Sequence, residues 1–183
     1  MNSKIHIMGA AGSGTTTLGN SLANVLPYTH LDTDDYFWKT KFTEQRSTLE
    51  RQEMLKEDLS RDDQCILTGA VAGWGNCFVP YFNLVIFLWI PSEVRLARLQ
   101  EREIERYGNA VSPSGSRYEE SQVFLKWASL YDHAGMEVRS KALHEQWMAE
   151  LSCPLLRIEG DYSIEERVAK VMNYLNRNNS SQI

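Results

Sequence analysis

Gly9-Ala10-Ala11-Gly12-Ser13-Gly14-Thr15-Thr16-Thr17, directly after the apolar run Ile5-His6-Ile7-Met8, is the stretch on which the reading of this chain turns. It matches the phosphate-binding pattern G-x-x-x-x-G-K-[ST] at every defined position except one, where Thr15 stands in place of the lysine. Gly9, Gly12 and Gly14 lack a Cβ and can turn successive amide N–H groups inward around an anion. A helix starting near Thr15 adds its positive dipole end and its unpaired N–H groups, and Thr16 offers a hydroxyl to Mg²⁺. The missing ammonium is the group that reaches the β- and γ-phosphates in such loops and offsets charge during phosphoryl transfer. Phosphate binding is therefore expected at Gly9, Ala10, Ala11, Gly12, Ser13, Gly14, Thr15, Thr16 and Thr17, while Thr15 leaves the reaction open. The opposing reading, a strand-to-helix turn without a ligand, fits poorly with three glycines in six residues followed by threonines.

Outward from the loop, the chain alternates strands and helices. Lys4 to Met8 reads as a buried strand and Thr15 to Leu26 as a helix that stops at Pro27. Tyr28 to Leu31 is a second strand that delivers Asp32-Thr33-Asp34-Asp35 at its carboxyl end, where ligands gather in open parallel sheets. Two readings of this acidic group stand side by side. In one, Asp32 helps hold Mg²⁺ while Asp34 or Asp35 orients or deprotonates an acceptor hydroxyl; in the other, the aspartates cap a helix or form a turn. Tyr36, Phe37 and Trp38 follow, as pocket lining or as a cap on the core. A helix from about Glu44 to Ser60 precedes the third strand, Cys65 to Thr68, which runs into Gly69-Ala70-Val71-Ala72-Gly73-Trp74-Gly75 without a closing acid. That stretch reads either as a close backbone approach to a substrate with Trp74 stacking on it, or as an ordinary turn.

The fourth strand, Leu84 to Ile90, is apolar throughout, as in a central strand covered on both faces. Ser92 is expected to cap a helix to about Tyr107 that carries Arg95, Arg98, Arg102 and Arg106. At helical spacing the four fall within about 80° of one another. Like charges at i,i+4 repel, so at least two of them are expected to face a phosphate, and Arg98 is assigned to the nucleotide. Gly108 to Arg117 is small and polar, and with its flanks (107–118) reads as a short lid carrying Arg117. Val123, Phe124, Trp127, Leu130 and Tyr131 read as core packing, Met136 to Leu151 as a helix, and His133 and His144 as structural. Leu155 to Ile158 is the fifth strand. Ser163-Ile164-Glu165-Glu166 is a capping box for the last helix, and the end from Asn176 is polar.

The 183 residues suit one domain, placed at 1–176 with a polar tail at 177–183. A net charge of −5 excludes a general nucleic-acid or membrane-surface binder, and neither partner is expected. Three cysteines without metal-ligand spacing read as reduced thiols. No stretch is long enough to span a membrane and no signal pattern opens the chain, so a cytoplasmic location is expected.

The phosphate loop, the Asp32-Thr33-Asp34 group, the arginine helix and the short lid together resemble the adenylate kinase and shikimate kinase group of P-loop small-molecule and nucleotide kinases. The likeness covers nearly the whole chain, and is nearest to uncharacterised bacterial adenylate-kinase-like proteins, loosely labelled AAA-family ATPases, that share the G-S-G-T-T-T variant. It implies the α/β three-layer P-loop NTPase fold, with a five-stranded parallel sheet in the order 2-3-1-4-5 and helices on both faces. It also implies ATP phosphates at Gly9 to Thr17 and Mg²⁺ near Thr16 and Asp32. By the same likeness Asp34 contacts the acceptor, Arg102, Arg106 or Arg117 act as lid arginines, and Gly160-Asp161 lies on the adenine side. Three functions follow for test: transfer of the ATP γ-phosphoryl group to a small hydroxylated metabolite or nucleotide, nucleotide sensing without transfer, and slow ATP hydrolysis.

Overall fold

The computed structural model describes residues 3–41 and 43–180. The run 5–8 lies within β1 (Ser3–Gly9), the central strand of a parallel sheet. Around it are β2 (Thr29–Asp32), β5 (Gln64–Thr68), β6 (Leu84–Trp89) and β7 (Leu155–Glu159), in the order β2-β5-β1-β6-β7. Counting only these five strands along the chain, this is the expected 2-3-1-4-5. β1 pairs β5 with Ile5 beside Ile66, and β6 with Ile5 beside Leu84.

Both faces of the sheet centre are covered, which is why β6 is continuously apolar rather than alternating. On one face Ile5, Ile7, Ile66 and Ile86 pack against Leu18 and Leu22 of α1 (Thr15–Ala23) and Val171 of α7 (Ile164–Ser180). On the other, Met8, Leu67, Val85 and Phe87 join Leu55 and Leu59 of α3 (Thr48–Arg61) and Trp147 and Met148 of α6 (Lys141–Ala149). His6 points to this second face, where its ring stacks on Phe82 at 4.8 Å and its Nδ1 bonds the Leu67 carbonyl at 3.0 Å. Burial lowers its pKa to about 4. Among the described residues no helix is long and apolar enough to cross a membrane. The three cysteines are unpaired.

Several local expectations are corrected. The helix expected from Glu44 begins at Thr48, because Ser47 and Glu50 form a capping box there. Ahead of it the chain forms a five-residue helix, α2 (Thr33–Phe37), and a small hairpin of β3 (Trp38–Thr40) and β4 (Glu44–Gln45). One Arg46 guanidinium nitrogen gathers the carbonyls of Asp35, Tyr36 and Trp38, which fixes this turn. Ser92 does not cap α4 (Ser92–Tyr107); it is the first helical residue, and Pro91 holds the cap position without a side-chain bond. Residues 136–140 are not helical, since α6 starts at Lys141 with Ser140 as its cap. The Ser163–Glu166 box forms as expected, and α7 continues through Ser180, past the expected polar break at Asn176. Residues 181–183 of the expected tail lie outside the described residues.

Candidate active site

The carboxyl ends of β1, β2 and β5 open onto a cleft of about 1230 Å³, bounded by α1, α4, the 108–117 turn and the segment 118–139. Gly9, Ala10, Ala11, Gly12, Gly14, Thr15, Thr16 and Thr17 all line it. Ser13 does not: it is wholly buried beneath the loop, its amide donating to the Ala10 carbonyl at 3.1 Å. Gly12 and Gly14 hold φ of 79° and 87°, a left-handed conformation that a side chain makes costly. Gly14 is also the N-cap of α1 and brings no side-chain cap, so the first amides of that helix are left for an outside acceptor.

The acidic group meets the loop here. Thr16 Oγ1 donates to Asp32 Oδ2 at 2.8 Å, and Thr68 Oγ1 donates to the same oxygen at 3.3 Å. The other oxygen, Asp32 Oδ1, accepts from the Asp34 amide at 3.0 Å and caps α2. The capping reading of Asp32 is therefore seen in the structure through Oδ1, while Oδ2 faces the Thr16 hydroxyl at the loop. A hydroxyl and a carboxylate side by side at the mouth of a phosphate loop suit Mg²⁺, which keeps several waters and takes one or two protein oxygens. No group of three or more His, Cys, Asp and Glu side chains gathers among the described residues, so a dedicated all-protein cage is absent there.

Asp34 lines the cleft two residues on from Asp32. Although water reaches its carboxylate, the enclosing walls and Asp32 push its pKa above the usual carboxylate range, against the pull of Arg139, Lys41 and Arg102. Phe37, Trp38, Trp74, Phe124 and Trp127 supply apolar walls. Phe124 and Trp127 are thus cleft residues rather than core, and Val123 and Leu130 are exposed; of the five residues read as core in that helix, Tyr131 is buried. Trp74 is largely buried, with its Nε1 donating to the Ala70 carbonyl at 2.8 Å.

The arginine stripe divides. Arg95 is fully buried, paired with Asp132 and donating from Nε to the Ile90 carbonyl at 3.1 Å, so it is a structural cation turned away from the cleft. Arg98 and Arg102 line the cleft, Arg98 already bonded to Asp161 at 2.7 Å, while Arg106 is exposed. Arg117 lines the cleft too, paired with Glu120 at 2.8 Å and lying 4.3 Å over the Tyr107 ring. Its segment, the expected lid, is a turn closed by its own backbone bonds, Arg117 amide to Ala110 carbonyl at 2.8 Å and Gly115 amide to Ser112 carbonyl at 2.7 Å. His144 is structural, bonded to Tyr131 Oη at 2.8 Å with its pKa lowered to about 3 by burial.

Two cleft arginines escaped the sequence. Arg139 reaches in from the irregular stretch before α6, 5.1 Å over Trp127, with its Nε buried and unpartnered. Nothing local in Glu137-Val138-Arg139-Ser140 signals that. Arg167 reaches from α7 to the loop, Nη1 to the Ser13 carbonyl at 2.8 Å. It had a legible signal: it lies beside Ile164, Val168 and Val171 on the apolar face of its helix, where a cation needs a partner.

No family model matches the chain. The uncharacterised protein YqaC of Bacillus subtilis is 58% identical over 178 residues, covering 97% of this chain and all of that one. Shikimate kinase 2 of Serratia proteamaculans is 26% identical over 171 residues, 87% of this chain and 98% of that one. Among solved structures, shikimate kinase from Acinetobacter baumannii superposes with a TM-score of 0.57 at 19% identity, over 96% of this chain and 94% of that one, a likeness of fold. With the loop, the flanking acids and the sheet order in place on a fold like that of the shikimate kinase structure, and with YqaC matched over its whole length, this chain belongs to the YqaC family.

Proposed function

We propose that the protein is an ATP-dependent kinase that transfers the γ-phosphoryl group to a hydroxyl of a small metabolite or nucleotide held in the cleft. The observation that carries this reading is the placement of Thr16, Asp32 and Asp34: a hydroxyl and a carboxylate 2.8 Å apart at the loop, with a second carboxylate two residues on lining the same cleft. In such a site ATP with Mg²⁺ supplies the reactive phosphoryl group and part of the charge neutralisation. Thr16 and Asp32 are the residues that would hold the metal. The loop residues that line the cleft, Gly9 to Gly12 and Gly14 to Thr17, bind and orient phosphate oxygens, the Ser13 amide being held by the Ala10 carbonyl. Asp34 accepts the acceptor's hydroxyl proton, and its raised pKa improves it as a base near neutral pH. Arg98, Arg102 and Arg117 surround the place where charge develops, and the aromatic walls exclude water from the acceptor. The full-length match to a shikimate kinase supports the reaction class.

Thr15 favours a second reading, a nucleotide-binding protein without transfer activity. The two separate in one series of measurements. Calorimetric titration with ATP, with and without Mg²⁺, is expected to show Mg²⁺-dependent binding. A screen of hydroxylated metabolites and nucleoside monophosphates is then expected to show phosphoryl transfer that Asp34→Ala lowers by about 10²- to 10⁴-fold while ATP binding persists. Binding with no transfer to any acceptor leaves the sensor reading; no binding of ATP removes both.

A further inference from the structure

We infer that Arg167 is the cation of the phosphate loop, taking from the last helix of the chain the charge that Thr15 does not supply at the loop itself. The inference rests on the nucleotide reading above and goes beyond it by assigning a residue to the loop from the other end of the sequence.

The geometry is specific. Arg167 is 4% exposed, yet it lines the same cleft as the loop. Its Nη1 donates to the Ser13 carbonyl at 2.8 Å and lies 3.1 Å from where a Cβ on Gly14 would sit. The guanidinium is therefore packed directly against the residue that caps α1. Its Nε and Nη2 are buried without a hydrogen-bond partner. Asp161 comes no closer than 4.0 Å to Nη2, and its carboxylate oxygen is already bonded to Arg98 at 2.7 Å. A guanidinium cannot shed its charge, and one buried with two open donors is costly until an anion arrives. The neighbouring anion site is the cradle of Gly12, Gly14 and the first amides of α1. A nucleoside di- or triphosphate seated there gives the open donors oxygen acceptors in a site of low dielectric, where charge-assisted bonds are strongest.

The other cleft arginines are placed differently. Arg98 is bonded to Asp161, Arg117 to Glu120, and Arg102 and Arg139 act on Asp34. Arg167 is the one bonded to the loop backbone among the contacts described for these five. The start of α7 that carries it is itself fixed, by the Ser163–Glu166 capping box.

The test is a compensation experiment on the full chain, with MgATP and MgADP as probes in calorimetry and thermal melting. Arg167→Gln is expected to weaken both nucleotides by about 10- to 100-fold, and to shrink the nucleotide-induced rise in melting temperature while leaving the ligand-free melting temperature little changed. Arg167→Lys is expected to recover part of the affinity, and adding Thr15→Lys to Arg167→Gln to restore most of it. Undiminished binding by folded Arg167→Gln overturns the inference. So does a fall in ligand-free melting temperature with an intact ligand-induced rise, the signature of a purely structural arginine. If Arg167→Gln does not fold, undiminished affinity in Arg167→Lys together with no gain from Thr15→Lys in that background overturns it equally. Failure of the wild-type chain to bind either nucleotide overturns the kinase reading along with this one, a result distinct from the others.

Discussion

Asp34 sits between opposing influences, and its protonation ties chemistry to stability. Desolvation by the cleft walls and the nearness of Asp32 raise its pKa, while Arg139, Lys41 and Arg102 pull it down without cancelling the rise. A carboxyl whose folded pKa lies above its unfolded one holds its proton more tightly in the native state, so ionisation at neutral pH costs native stability. Asp34→Asn is therefore expected to melt above the wild type near pH 7, with the gap closing as pH falls through the ordinary carboxylate range near 4. Thermal melts at the two pH values check this, and an equal gap at both would place the effect elsewhere. The same variant is expected to lose phosphoryl transfer, a local exchange of activity for stability. The meeting of Asp32, Asp34 and Thr16 at one cleft was legible because each follows directly on a strand or the glycine loop at the carboxyl edge of the sheet. Arg139 and Arg167 were not, since contacts across such sequence separations leave no local pattern, though a cation on the apolar face of α7 was a readable anomaly.

Among the elements, α4 shows how a single helix divides its cations between scaffold and site. Arg95 is buried against Asp132, which also accepts from Trp89 Nε1 at 2.8 Å, so one carboxylate ties α4 and β6 to the turn after the helix Tyr118–Ser129. Asp132→Ala leaves a buried guanidinium uncompensated and is expected to cost about 3–5 kcal/mol in urea unfolding. Replacing both partners, Arg95→Met with Asp132→Leu, is expected to recover most of that loss, and a double variant as unstable as the single would show that the pair is not the cause. The spacing of the four arginines placed them on one stripe but not the boundary between its buried and open parts, which depends on what lies across from each turn. β6 was readable because both of its faces are covered and its apolar run is unbroken. The α2 turn and the β3–β4 hairpin were not, because Asp32 at one end and Arg46 at the other determine them more than propensity does.

At the scale of the whole molecule, two histidines make stability depend on pH. Burial lowers His6 to about 4 and His144 to about 3, both below the usual value of 6.5. Stability is then complete above about pH 6.5 and falls as the unfolded chain takes up protons that the native core refuses, by about 1.4 kcal/mol per pH unit for each histidine. Urea midpoints at about pH 7.5 and about pH 5 are expected to show this fall, and His6→Gln to make it shallower; a slope unchanged by that substitution would clear His6. The Arg167–Ser13 bond, joining residues 154 apart, has a consequence of another kind. During synthesis the glycine loop emerges 154 residues ahead of Arg167, with the strands on either side of β1 in between. A nascent chain that carries the loop but not yet α7 lacks the Arg167–Ser13 bond, so the loop reaches its braced geometry only after residue 167 has left the ribosome.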